Sequence, residues 1–247
     1  AGLGAGLLLT AQRRQLRVFY DWQGDREWPH PMDAGLQAVG VPPPAGVALA
    51  DADVQLDREV RAWQALLRGL VAARAAWPRG EPERLAVARE SARALEQLSL
   101  EAPAPPRMEW MRTLVLGAVA AALEAREEFA LLLLQLDGLH RELVDGGVVE
   151  GLPISGDALA GEWHLQLRDL PEAAQRFGVA AIDGPGRARS WLGRARAERS
   201  AGRREAAAVA YQRCLDAWAG ADDSLRELGE ARAYLTPDPN PGDNGWF

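Results

Sequence analysis

Two stretches of this 247-residue chain repeat one another at a distance of 34 residues. Asp169-Leu170-Pro171-Glu172-Ala173-Ala174-Gln175-Arg176-Phe177 stands in register with Arg203-Arg204-Glu205-Ala206-Ala207-Ala208-Val209-Ala210-Tyr211. The pairs Ala173/Ala207, Phe177/Tyr211, Ala180/Cys214, Gly161/Ala195, Ala195/Gly229 and Trp191/Leu225 all keep that offset. A fixed period of this length marks stacked supersecondary copies, none of which can bury its own apolar face alone. Small residues at Gly161, Ala195, Gly229, Ala173 and Ala207 are expected to let neighbouring helices approach closely. Phe177 and Tyr211 are expected to fill the gaps between hairpins, with turns at Arg168-Asp169 and Ala201-Gly202.

Composition points the same way. Hydrophobic residues make up 48% of the chain and charged residues 26%, which is a globular balance. Alanine, leucine, arginine and glutamate dominate, and these are helix formers, so the expected fold is all-α. All 28 basic residues are arginine, which reads as the coding bias of a GC-rich bacterial genome. The net charge of −7 argues against nucleic acid as a partner, because phosphate binding needs a basic face. Residues 151–235 hold 12 acidic and 12 arginine side chains, so the acidic excess lies outside the repeats. Cys214 is the only cysteine and forms no intrachain disulfide. His30, His140 and His164 are scattered and match no metal spacing, so neither a metal nor a cofactor is expected.

Along the chain, four segments separate. Residues 1–54 combine an apolar start with an irregular arm rich in proline and glycine, including Trp28-Pro29-His30-Pro31 and Pro42-Pro43-Pro44. The ten apolar or small residues Ala1 to Thr10, followed by Arg13, Arg14 and Arg17, are too few to span a bilayer. They read either as the end of a spanning or processed segment or as a buried helix from Leu7 to Tyr20. Residues 55–150 read as degenerate helical hairpins. There Leu56, Val60, Trp63, Leu66, Leu67, Leu70 and Val71 form one stripe, ended by Pro78-Arg79-Gly80. A helix from Pro82 to Leu98 follows, then a pair split near Glu124-Ala125-Arg126-Glu127. The run Leu131-Leu132-Leu133-Leu134 touches several helix faces and is expected to be buried between neighbours. Residues 151–235 carry the repeats and a final capping helix, and residues 236–247 an extended tail. In that tail, Trp246 and Phe247 are expected to dock on this protein or a neighbour, since an exposed aromatic pair is a costly patch.

The pattern Trp191, Ala195, Gly202, Ala207, Tyr211, Cys214, preceded by Ala160-Gly161, Leu170, Ala173, Phe177 and Ala180, resembles the tetratricopeptide repeat family. The resemblance covers about 80 residues at 154–235, reaches more weakly to 110–143 through Leu116-Gly117, and still more weakly to 66–99. The helix-closing proline of the family is missing, its place taken by Gly184-Pro185-Gly186. The resemblance implies a right-handed superhelical array of antiparallel helix hairpins whose groove is lined mainly by the first helix of each repeat. Carried over by position, that groove is formed by Glu162, Leu165, Arg189, Leu192, Arg196, Arg199, Arg226 and Tyr234, beside Ala158, Gln166 and Glu230. Arg196 and Arg199 share a helix face and can grip a partner's carboxylate. The Lys and Asn clamp by which one subset of the family holds chaperone C-termini is absent, its places held by Ala158, Glu162, Gly193, Asp223 and Glu227.

A search for catalytic motifs finds no phosphate loop, no nucleophile elbow and no metal-spaced His/Cys set. The expected function is therefore a non-catalytic protein-binding scaffold, an assembly factor or subunit of a multiprotein complex, of undetermined oligomeric state. An alternative is a membrane-anchored envelope protein that holds a complex at the bilayer through its N-terminus. A third reading is a helical accessory region of a hydrolase. Membrane-associated and cytoplasmic locations both stay open.

Overall fold

The computed structural model describes residues 51–100, 106–146, 155–183, 188–221 and 225–236. Among these residues there are nine helices and no strand, and within each of the two units consecutive helices pack on one another. They are α1 (Asp51–Ala76), α2 (Pro82–Leu100), α3 (Pro106–Ala122) and α4 (Arg126–Asp145), then α5 (Gly156–Gln166), α6 (Leu170–Asp183), α7 (Ala188–Ser200), α8 (Arg204–Ala217) and α9 (Arg226–Leu235). The chain divides into two compact units, Ala1–Gly156 and Asp157–Phe247. The expected N-terminal helix, most of the arm, the connection at 101–105, Gly184-Pro185-Gly186 and the tail from residue 237 lie outside the described residues. The arm is shorter than expected, since α1 already begins at Asp51. No described helix is long and apolar enough to cross a membrane.

One turn design closes the hairpins of both units. In α5/α6, the Arg168 N–H donates to the Leu165 carbonyl at 3.2 Å and the Asp169 N–H to the His164 carbonyl at 2.8 Å. In α7/α8, Gly202 donates to Arg199 at 3.0 Å and Arg203 to Glu198 at 2.9 Å. In α3/α4, Glu124 donates to Ala121 at 3.1 Å and Ala125 to Ala120 at 2.9 Å. Each pair satisfies orphan carbonyls at a helix end and requires a left-handed residue, here Glu124 (φ 55°), Arg168 (φ 62°) and Gly202 (φ 74°). The α1/α2 turn also has a left-handed residue, Gly80 (φ 62°). The next helix then starts alike each time, with Ala173, Ala207, Phe129 and Leu85 donating to the carbonyls of Asp169, Arg203, Ala125 and Glu81. Arg168 and Gly202 are 34 residues apart, as the repeat requires, whereas Glu124 lies 44 residues before Arg168. The α3/α4 hairpin occupies the place of the weaker third copy, but its helices of 17 and 20 residues exceed the 11 and 14 of α5 and α6.

Side chains staple the two 34-residue turns at equivalent positions. His164 Nδ1 lies 3.2 Å from an Asp169 carboxylate oxygen. In the next copy the buried Glu198 accepts a hydrogen bond from the Arg203 guanidinium. Burial lowers the His164 pKa, and Asp169 offsets only part of that shift, so its ring favours the neutral form.

In the first unit α1 packs on both α2 and α3. Gly69 makes this possible, because a Cβ there would stand 2.7 Å from a Val115 methyl and 3.1 Å from Ser91 Cβ. Trp63, Leu66, Leu95, Trp110, Met111 and Leu114 form the buried core of this unit. The leucine run behaves differently from expectation. Helix α4 buries one stripe, Phe129, Leu133, Leu136 and Leu143, and leaves Leu131 and Leu134 69% and 70% exposed. Four consecutive residues span most of a helix's circumference, and the single buried stripe that faces α3 takes only one of them.

In the second unit the repeat positions are core. Ala173, Ala207, Ala180, Cys214 and Ala195 are fully buried, as are Phe177 and Tyr211. The Phe177 ring sits between α5 and α7. A Cβ on Gly161 would meet its Cγ at 2.9 Å, and one on Gly193 its Cδ1 at 2.7 Å. Gly229, expected to serve the same close approach, has no atom of the described residues within 4 Å of where its Cβ would stand.

A methyl group at Gly193 cannot be relieved by moving the ring, which is already against Gly161. We expect Gly193→Ala to destabilise the protein by about 1–3 kcal/mol despite its better helix propensity. Gly229→Ala in open space should stabilise by up to about 1 kcal/mol. Urea denaturation of the two variants measures both, and equal effects would remove the wedge.

Candidate functional site

Most of the residues expected to line a groove on the first helices are engaged within the fold. The Arg189 Nε donates to Glu162 Oε1 at 3.3 Å, tying α7 to α5. Arg196 donates to both carboxylate oxygens of Glu230, at 2.7 Å from Nη2 to Oε2 and 3.2 Å from Nε to Oε1, tying α7 to α9. These two residues occupy the same repeat position, 34 apart, so the contact joins successive copies. The Tyr211 hydroxyl donates to Glu230 Oε1 at 2.7 Å and accepts from Arg199 at 3.3 Å. The Tyr234 ring lies 4.7 Å from that of Tyr211, and its hydroxyl donates to the Arg204 carbonyl at 3.3 Å. Leu192 is 2% exposed and belongs to the core, while Leu165 packs partly buried against Ala173, Ala174, Phe177 and Ala197. Arg226 stays exposed.

The electrostatics follow from this network. Burial alone would raise the Glu230 pKa, but hydrogen bonding and attraction to Arg196, with help from Tyr211 and Arg199, hold it below the usual carboxylate value. The Tyr211 hydroxyl is pushed above its ordinary value, first by burial and then by the adjacent Glu230 carboxylate. Burial likewise pushes the Cys214 thiol up to about 12, so it remains protonated and unreactive at neutral pH.

A second surface in the same unit has a different character. Ala181 and Ile182 of α6, Trp191 and Arg194 of α7, and Ala206, Val209, Ala210 and Arg213 of α8 line a groove of about 450 Å³. Ile182 and Val209 are 75% and 60% exposed, unusual for β-branched apolar side chains in a well-packed hairpin. Arg194 and Arg213 flank the indole of Trp191, with guanidinium carbons 5.9 and 5.4 Å from its ring, within cation–π range. Gly178 leaves space for Arg194 to lie across α6, 3.3 Å from where its Cβ would stand. Arg194 reaches Glu198 only at 3.9 Å, and among the described residues no carboxylate lines the groove. At about 100° per residue, Arg194 lies on the far side of α7 from Leu192, Arg196 and Arg199, and Trp191 lies on the flank between them.

This groove arises where the two repeat copies differ. Asp157 and Arg176 form an ion pair at 3.0 Å in the first copy, and the equivalent positions in the second are Trp191 and Ala210. Val209 and Arg213 stand where the first copy has Gln175 and Val179. Comparing the copies for agreement finds the core, and comparing them for disagreement finds this surface. Only the first comparison guided the expectation.

No protein-family model, curated protein or solved structure matches the chain. The site therefore rests on its own geometry. Among the described residues, no group of three or more His, Cys, Asp or Glu side chains could hold a metal ion.

The folded Glu230 pKa is depressed, so its stabilisation is complete above its unfolded value near 4.5 and is lost as pH falls through the folded value. Glu230→Gln should therefore lower stability by about 1–3 kcal/mol at pH 7, with the deficit shrinking below pH 4.5 in denaturation curves. Cys214 should resist thiol-reactive reagents at pH 8 and react fully in denaturant. Labelling at the free-thiol rate in the native protein would place α8 wrongly.

Proposed function

We propose that this protein is a non-catalytic scaffold for protein–protein interaction, an assembly factor or subunit of a multiprotein complex, built on tetratricopeptide-like repeats over 154–235. In this reading the hairpins α5/α6 and α7/α8 stack in the right-handed sense of that family, and α9 closes the end of the stack. The 34-residue recurrence of the turn, the staple across it and the buried small residues supports the repeat assignment. The groove on α6, α7 and α8 carries the functional assignment. It combines an apolar floor with two guanidinium groups and, among the described residues, no carboxylate, which is the chemistry of a surface that takes an amphipathic segment with acidic character.

The face of Arg196 and Arg199 is less suited to bind a partner. Reversing Arg196 would break the tie to Glu230 and damage the fold, so lost binding there would say little about a surface. Val209 and Arg213 are exposed, and the contact of Arg213 with the Trp191 ring of α7 is a surface cation–π pair worth about 0.5–1 kcal/mol. We expect Val209→Glu/Arg213→Glu to keep the wild-type melting temperature within about 2 °C, since surface changes of this kind cost little. The same variant should lose those proteins that co-purify with the wild type and rebind it when purified. Unchanged rebinding at defined stoichiometry would move the interaction surface elsewhere and defeat this placement.

A further inference from the structure

The groove calls for an occupant that supplies apolar or aromatic bulk together with negative charge. The chain itself carries such a segment directly after α9. Residues 237–247 read Pro-Asp-Pro-Asn-Pro-Gly-Asp-Asn-Gly-Trp-Phe, with two carboxylates, no cation and two large aromatic side chains in their last two positions. Prolines at 237, 239 and 241 narrow the conformations open to this segment and so lower the entropy lost on docking.

The distances are compatible. The Tyr234 hydroxyl bonds the Arg204 carbonyl, so α9 ends beside the start of α8. Arg204 is two residues before Ala206, the first α8 residue of the groove, and Arg213 lies seven residues further on, about 10 Å along the helix. A helix with its side chains is about 10–12 Å across, and eleven extended residues reach about 36 Å, enough to pass round α8 and run its length.

We propose that residues 237–247 dock in cis into the groove of α6, α7 and α8. Trp246 and Phe247 cover Ile182 and Val209, and the Asp243 carboxylate meets Arg213 and Arg194. This rests on the reading of the groove as a docking surface for acidic, apolar segments. It makes the tail a built-in competitor for any partner of the same chemistry, which must displace it to bind.

The chain has two isoleucines, Ile154 and Ile182, so methyl labelling of isoleucine gives two resonances, assigned with Ile182→Val. In the 247-residue chain an aromatic ring over Ile182 shifts its methyl resonance upfield. Trp246→Ala/Phe247→Ala should return that resonance toward its free position, and Arg213→Glu should shift it in the same direction. A synthetic peptide of residues 236–247 should restore the shift in the double variant. It should bind the wild type about tenfold or more weakly, because the tethered copy is present at high effective concentration. An Ile182 resonance identical in wild type and double variant overturns the proposal. So does a shift that grows with protein concentration, which would assign the segment to a second copy. If the resonances are identical and the peptide still binds both proteins equally, docking in cis fails and the groove as a docking surface stands. If the peptide binds neither, both fail.

Discussion

The arrangement of the second unit depends on one aromatic ring held between two glycines. Phe177 fixes how far α6 stands from α5 and α7, because Gly161 and Gly193 bring those helix backbones into contact with its faces. A fully buried phenylalanine of this kind is worth about 3–5 kcal/mol to the fold, against a total stability that is commonly about 5–15 kcal/mol. The consequence is more than stability. With α6 and α7 set by the ring, Ala181 and Ile182 fall beside Trp191 and Arg194, and one wall of the groove is defined before any surface residue is considered.

The next copy solves the same problem with a polar ring. Tyr211 is buried at the place of Phe177, and its hydroxyl must be satisfied there. Glu230 accepts its hydrogen bond and in turn needs a cation, which Arg196 supplies from the equivalent position one copy earlier. Burying a carboxylate is unfavourable unless it is paired and hydrogen-bonded, and here two donors meet the requirement. The short α9, at ten residues too short to persist alone, is thereby held to α7 and α8.

Much of this was legible in the sequence, and the failures have physical causes. The helix breaks at Pro78-Arg79-Gly80 and near Glu124, and the turns at Arg168-Asp169 and Ala201-Gly202, were visible because turn chemistry is local. Core positions such as Ala173, Ala180 and Cys214 were visible because each appears twice in register. The leucine run at 131–134 misled because hydrophobicity reports a tendency to be buried and not the number of neighbouring elements available to do it. The pairing on the first-helix face was not legible, for a related reason. Arg189, Arg196 and Arg199 look like free cations in one dimension, and their partners Glu162, Glu230 and Tyr211 lie 12 to 34 residues away. Charge pairing over such distances is set by the stacking of copies and carries no local signature.

The same logic explains why the two faces of α7 can serve different purposes. On one face, Arg189, Arg196 and Arg199 are consumed in joining α7 to its neighbours, so evolution of that face is tied to the stability of the stack. On the other, Asp157 and Arg176 show what a purely structural version of the surface looks like: an ion pair, 18% exposed on each side, that closes the gap between helices. Its replacement by Trp191 and Ala210 removes the pair and opens an apolar recess. Arginine at 194 and 213 then adds two positive charges at its edge. A change that removes a satisfied ion pair and exposes Ile182 and Val209 carries a cost in solubility, which a bound segment of complementary chemistry would offset.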